Sequence, residues 1–353
     1  MLLATLFADR TGRRRFLVVL SVLAVVGGSL ALLPLPVPIL VAASFVGMWN
    51  GMGRDRGPAS VLEGAMLPST TTDAARTSSF ARYNALQDAG NALGFLLVAV
   101  VLASPLPTAV SESTEPWALR AVLGLYPLLG IVAIVLYARL SPTVEAAAGA
   151  RKAPVTPQGR RTIAKLSGLF ALDSVGGGFV SASLVSYFFF ERFHARVETV
   201  ALLFFAARVL NALSHLAAAW LARRIGLVNT MVFTHIPSSL LLATVAIAPT
   251  FPVAVVLFLL RESLAEMDVP TRQSYVMAVV RPEERTAASG ATSLVRLAGW
   301  AVAPAIGGVL MEGVSLAVPL VAAAGLKIAY DVILWVSFRR LPPPEERVGS
   351  ASA

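Results

Sequence analysis

Ten apolar runs of 18 to 29 residues dominate this chain: Phe16–Leu33, Ile39–Leu67, Asn84–Ala103, Ala118–Leu140, Ile163–Phe190, Val200–Leu221, Leu227–Ile247, Pro252–Val280, Ala287–Met311 and Leu316–Phe338. A helix needs about 20 apolar residues to cross the hydrocarbon core of a bilayer. Backbone N–H and C=O groups in lipid must find partners within their own segment, which favours helices. The expected fold is therefore all-α, a polytopic membrane protein with about ten transmembrane helices. Composition agrees, with 14% charged residues and a mean hydropathy of +0.74, against about 25% charge in a soluble domain. The opening stretch does not read as a secretory signal, because Arg13-Arg14-Arg15 follow its apolar residues instead of preceding them.

Several chemistries are excluded or disfavoured. The chain has no Cys, so disulfides and thiolate metal sites are out. His194, His215 and His235 fall on different segments, so no metal centre is expected. No Gly-x-x-x-x-Gly-Lys-Ser/Thr pattern occurs, which removes the usual basis for ATP-driven pumping. No cofactor is expected. An intramembrane enzyme is disfavoured, since no nucleophile–base pair is visible.

The net charge of +9 is a topology signal. Nineteen of the 29 basic residues lie in or beside the connections before spans 1, 3, 5, 7 and 9 and in the tail. The opposite side holds only Arg120, Arg192 and Arg196. The positive-inside rule then puts both termini in the cytoplasm of a cell membrane, and nucleic-acid binding is unnecessary as an explanation. The longest basic connection, Ser141–Arg161, is rich in Pro and Ala and reads as a flexible linker. The expected organisation is an N-terminal bundle over 1–140, a linker over 141–162, a six-helix bundle over 163–340 and a tail over 341–353.

An internal repeat supports two bundles. Asp55 precedes Pro58 within span 2, and Asp268 precedes Pro270 within span 8. Each copy then reaches an Arg-Thr pair, Arg76-Thr77 and Arg285-Thr286, with a Gly fourteen residues past the Arg, at Gly90 and Gly299. Paired bundles in parallel orientation are a transporter signature, with the pathway between them.

The segment ADRTGRRR resembles the loop motif of the major facilitator superfamily, G-x-x-x-D-R-x-G-R-R/K. Asp9, Arg10, Gly12, Arg13 and Arg14 match, and Thr5 stands where the family has its first Gly. A weaker copy, AAAWLARRIGL, keeps Arg223 and Gly226 but has Ala222 in place of the Asp. The resemblance implies two six-helix bundles. This chain would correspond to helices 3 to 12, a 4+6 arrangement apparently lacking the first helix and most of the second. It further implies that the loop motif gates one state, and that spans 2, 5 and 8 line a central cavity.

Polar groups at membrane depth are costly, and they mark pathways or pair with one another. On the three cavity-lining spans, the candidates for proton coupling are Asp55, Glu63, Asp173, Glu262, Glu266 and Asp268. A carboxylate there has its pKa raised by desolvation and by a like neighbour, so Glu262 and Glu266 can hold one proton between them. Arg54, Arg56, Arg261 and Arg272 are the candidates for binding substrate, since a guanidinium grips an anion bidentately. Lys327 and Asp331, four residues apart in span 10, read as a neutralising pair, while Arg208 and Arg296 have no assignment. Gly176-Gly177-Gly178 reads as a close helix contact. The expected function is secondary transport by alternating access, in a monomer, with proton-coupled export of a small molecule by antiport. The alternatives are organic-anion uptake or exchange, and a non-transporting fragment of a transporter.

Overall fold

The computed structural model describes residues 7–8, 11–49, 57–103, 114–145 and 155–339. Among them the chain is helical, with no strand. The first half holds α1 (Arg13–Ala31), α2 (Val37–Val46), α3 (Pro58–Met66), α4 (Arg76–Ala103) and α5 (Thr114–Ala138). The second holds α6 (Pro157–Gly178), α7 (Ala182–Phe193), α8 (Val197–Ile225), α9 (Leu227–Ala246), α10 (Phe251–Ala265), α11 (Asp268–Val279), α12 (Arg285–Gly313) and α13 (Val318–Phe338). All ten apolar runs are represented. Among the described residues, six stretches are long and apolar enough to cross a bilayer. Of the rest, the span over α10–α11 is broken mid-way, and α4 carries Arg76, Arg82 and Asp88.

Local signals explain the helix ends. The hydroxyl of Thr156 accepts from Gly159 N at 3.0 Å and Pro157 opens α6, six residues before the expected bundle boundary. Pro58 and Pro270 both sit in the first turn of a helix, α3 and α11, where a missing N–H costs nothing. The repeat's proline therefore marks a helix restart.

The two loop motifs share one backbone device. Gly12 and Gly226 are the residues before α1 and α9, with φ of +95° and +85°. A side chain would strain that conformation. Glutamates then clamp helix starts on this basic face. The Glu145 carboxylate accepts from Arg13 N (2.7 Å) and Arg14 N (3.0 Å) at the start of α1. Glu284 accepts from Thr156 N and Thr156 Oγ1, both at 2.8 Å, before α6. Glu284 also accepts from Arg281 N at 3.3 Å at its own helix start, so one carboxylate serves two helix starts. Both carboxylates oppose the positive end of a helix dipole.

The halves meet chiefly where α4 packs along α8, with further contacts of α11 on α4 and α3 on α12. The second half has two apolar cores, one around Phe188, Phe189 and Phe258, the other around Phe170, Tyr275 and Tyr330. Phe80 of α4 joins the latter, so it spans both halves. The first half has a smaller core around Leu17 and Leu62. Apolar side chains such as Phe45, Leu93 and Val309 stay uncovered, as suits a surface facing lipid.

The glycine contact is borne out. A Cβ on Gly178 would lie 2.6 Å from Ala303 Cβ, and one on Gly299 would lie 2.6 Å from Ser174 Cβ and 3.1 Å from the Ser174 backbone carbon. The α6–α12 crossing thus rests on backbone approach, which a rotamer change cannot relieve. We expect Gly299→Val to destabilise the purified protein by about 1–3 kcal/mol through overpacking. Thermal unfolding in detergent checks this, and an unchanged midpoint would refute it.

Candidate functional site

Along α6, α9 and α13 the sequence runs from one apolar core into the other, and each helix changes character between them. Asp173 lies between Phe170 and Phe179 on α6, and His235 between Val232 and Leu242 on α9. Lys327 follows Ala324 on α13, with Asp331 one turn later. These residues are buried, Asp331 completely. The charges form a layer between two dry cores, where an unpaired ion is expensive.

Within that layer the groups form one continuous chain. Asp331 carboxylate oxygens lie 3.0 and 3.1 Å from His235 Nδ1. Lys327 Nζ lies 3.3 Å from His235 Nε2 and donates to Asp173 Oδ1 at 2.9 Å. The other Asp173 oxygen accepts from Arg272 Nη1 at 2.8 Å, and Arg272 Nη1 pairs with Asp268 Oδ2 at 2.9 Å. Since Lys327 is donor-only, the network assigns the ring proton of neutral His235 to Nδ1, facing Asp331. The Arg272 guanidinium also stands 5.3 Å from the Phe170 ring centroid. Asp268 opens α11 after the helix break at Glu266–Met267, at the positive end of that helix.

Two cavities flank this chain. One, of about 130 Å³, lies between the halves; its walls include Tyr83, Asn84 and Gln87 of α4, Arg272 of α11, and Thr292 and Arg296 of α12. Its described lining has two arginines and no acid. The other, also about 130 Å³, lies within the second half, with Asp173, Arg208, Glu262, Glu266 and Lys327 in its wall. Arg272 and Arg296 line both. Hydrogen bonds between the halves close the basic side: Thr77 to Ser274 (2.8 Å), Asn84 to Gln273 (2.6 Å), Ser289 to Val61 O (3.0 Å) and Arg13 to Thr286 (3.1 Å).

The sequence profile of the Major Facilitator Superfamily matches residues 1–296 and again 166–353. The chain belongs to the major facilitator superfamily. Like other members of that superfamily it is a membrane transporter of small molecules and not an enzyme. Of known proteins, it is 22% identical to the uncharacterized membrane protein YJR124C of Saccharomyces cerevisiae, over 95% of this chain and 82% of the other. Among solved structures it resembles the human organic anion transporter MFSD10 (TETRAN), with a TM-score of 0.70 at 16% identity, over 94% and 79% of the two chains. It also resembles the E. coli fucose:proton symporter FucP (0.68, 12%, 94% and 85%). The proton:xylose symporter XylE is a further likeness (0.69, 15%, 94% and 82%). At these identities the likeness is one of fold.

In this superfamily member the predicted residues fall into three groups. Asp173, Asp268 and Arg272 come together in the central chain. Arg261 and Glu262 pair with each other, and Glu262 also accepts from Asn211 Nδ2 at 2.9 Å, so Glu262 and Glu266 do not form an isolated carboxyl pair. Glu63 stands apart in the first half, accepting from the phenols of Tyr83 and Tyr137. Of the loop motif, Gly12, Arg13 and Arg14 are placed as above. Asp9, Arg10, Arg54, Asp55 and Arg56 lie outside the described residues. The Lys327–Asp331 pair is corrected: Lys327 reaches across to Asp173, and the His235 ring takes Asp331. Arg208 now has a neighbour in Asp88 at 3.5 Å. Sequence reasoning passed over His235, Asp88 and His215, although each interrupts an apolar span, which is the signal that could have found them.

Proposed function

We propose that the chain carries a small organic anion together with protons, by alternating access. The observation that carries this reading is the cavity between the halves, lined by Arg272 and Arg296 without a described acid. The charge balance supports the proton. The central chain has three carboxylates against two permanent cations, and His235 between them. One proton would bring it to neutrality. Asp268 and a substrate carboxylate compete for the same guanidinium, so protonating Asp268 releases Arg272 to the anion. Proton and anion therefore bind together, which puts cotransport ahead of export by exchange for such a cargo. The human relative MFSD10 is an organic anion transporter, which is in keeping with this reading.

Alternating access would open the basic-face hydrogen bonds between α3, α4, α11 and α12 and close the opposite end. The chain acts as a monomer in the cell membrane, with its basic face in the cytoplasm, as the Lys/Arg bias supports.

The test is tracer flux in proteoliposomes with mono- and dicarboxylates, neutral sugars and organic cations as candidate solutes. Carboxylate uptake driven by an inward proton gradient, with alkalinisation of the outer medium, is the expected result. Uptake confined to sugars or cations, or carboxylate flux indifferent to the gradient, would overturn the reading.

A further inference from the structure

The central chain stays within the second half, but a different buried couple crosses the seam. Asp88 of α4 and His215 of α8 are both at 0% exposure, with Nε2 2.7 Å from Oδ2. Arg208, seven residues earlier on α8, brings Nη1 to 3.5 Å from the other oxygen of the same carboxylate. The buried Nδ1 of His215 has no hydrogen-bond partner among the described residues.

We infer that Asp88, His215 and Arg208 form a second proton-binding site, a latch on the α4–α8 seam that is separate from the substrate layer. With Nε2–H donated to Asp88, a neutral His215 keeps a lone pair on Nδ1, and that atom takes the proton. Histidine is the side chain whose ordinary titration falls between pH 5 and 8. The protonated ring satisfies Asp88 by a charge-assisted hydrogen bond and releases Arg208 towards the second cavity, whose wall it already lines. Loss of the proton returns the His215–Asp88 bond to a neutral donor, a weaker hold across the seam, and the seam loosens. Protonation thus favours the closed seam seen in this structure.

Among the described residues the charged and titratable groups on the packed elements are few, and Glu266, just past the end of α10, shares the second cavity's wall with Arg208. On α10 they are Arg261 and Glu262, the latter reaching α8 through Asn211, one turn from His215. On α11 they are Asp268 and Arg272, on α9 His235, and Glu191 and Arg192 lie at the far end of α7. The His215 ring bonds to Asp88 and to none of these, and the latch needs no substrate.

The chain has no cysteine, so spin labels can be placed at Arg82→Cys and Arg224→Cys, both exposed, on α4 and α8. Electron–electron distances in nanodiscs without substrate read the seam directly. From pH 5.5 to 8 the population at the longer distance should rise about tenfold. In His215→Gln and in Asp88→Asn the rise should fall below about half of that. Histidine-labelled NMR gives a second readout: one ring signal should titrate in this range, vanish in His215→Gln and shift in Asp88→Asn. Distances that ignore pH, or a full response in both variants, would overturn the latch. Because substrate is absent, that result is separable from a failure of anion flux, which bears only on the transport reading.

Discussion

Replacing Arg272 with Met is expected to abolish transport and to destabilise the protein more than Gly299→Val does. Arg272 bridges Asp173 and Asp268 within 2.9 Å, both carboxylates buried. Met matches the volume of the stem and removes the charge, so Asp173 keeps its ion pair with Lys327 while Asp268 loses its ion pair with Arg272. Removing one partner of a buried pair costs about 3–5 kcal/mol, because the cost is that of the stranded charge. Arg272→Lys separates charge from geometry. A lysine ammonium is a point charge without the planar fork, so it reaches one carboxylate well. Its stability should recover in part while flux stays low. Thermal unfolding in detergent and tracer uptake in proteoliposomes measure the two effects. Wild-type stability in Arg272→Met would mean that Asp173 and Asp268 are not held as charged groups.

Asp268→Asn is expected to have the second-largest effect, on the proton coupling proposed above. Asn keeps the shape and the position at the start of α11 but cannot take or release a proton. On the proposed reading, the Asp268 carboxylate competes with the anion for Arg272 and so weakens anion binding. In the variant Arg272 stays available, so binding at pH 8 should strengthen about tenfold, a coupling energy of about 1.4 kcal/mol, and should lose most of its pH dependence. Downhill counterflow should persist, while accumulation driven by the proton gradient collapses towards equilibrium. A variant that still accumulates anion with the wild-type pH slope would remove Asp268 from coupling. Intact counterflow distinguishes lost coupling from a damaged fold.

Much of the architecture was legible in the residues. The lengths of the apolar runs dictated the helices, because no other element hides its backbone from lipid within a single segment. The duplication was legible too. Gly12 and Gly226 occupy equivalent places in the two motif copies and share a positive φ, and Pro58 and Pro270 both stand at helix restarts. Asp173, Asp268 and Arg272 stood out because charge in an apolar run is costly.

Which charge meets which was another matter. Lys327 and Asp331 are four apart on one helix, yet His235 stands beside both and Lys327 turns to Asp173, 154 residues away in sequence. Asp88 and His215 are 127 residues apart, and Glu284 and Thr156 are 128 apart. Sequence spacing speaks only for neighbours on one helix.

From its sequence alone, then, this chain was bound to be a bundle of membrane helices with ionisable groups part-way through. Length and hydrophobicity decide that, and both are local properties. The pairing of those groups, the two cavities beside Arg272 and the crossing of the α4–α8 seam by Asp88 were decided only by packing. A helix that is apolar almost all round carries no pattern to fix its rotation about its own axis. Only contact with its neighbours sets that angle, and a turn of the helix decides whether a charge faces a partner or lipid.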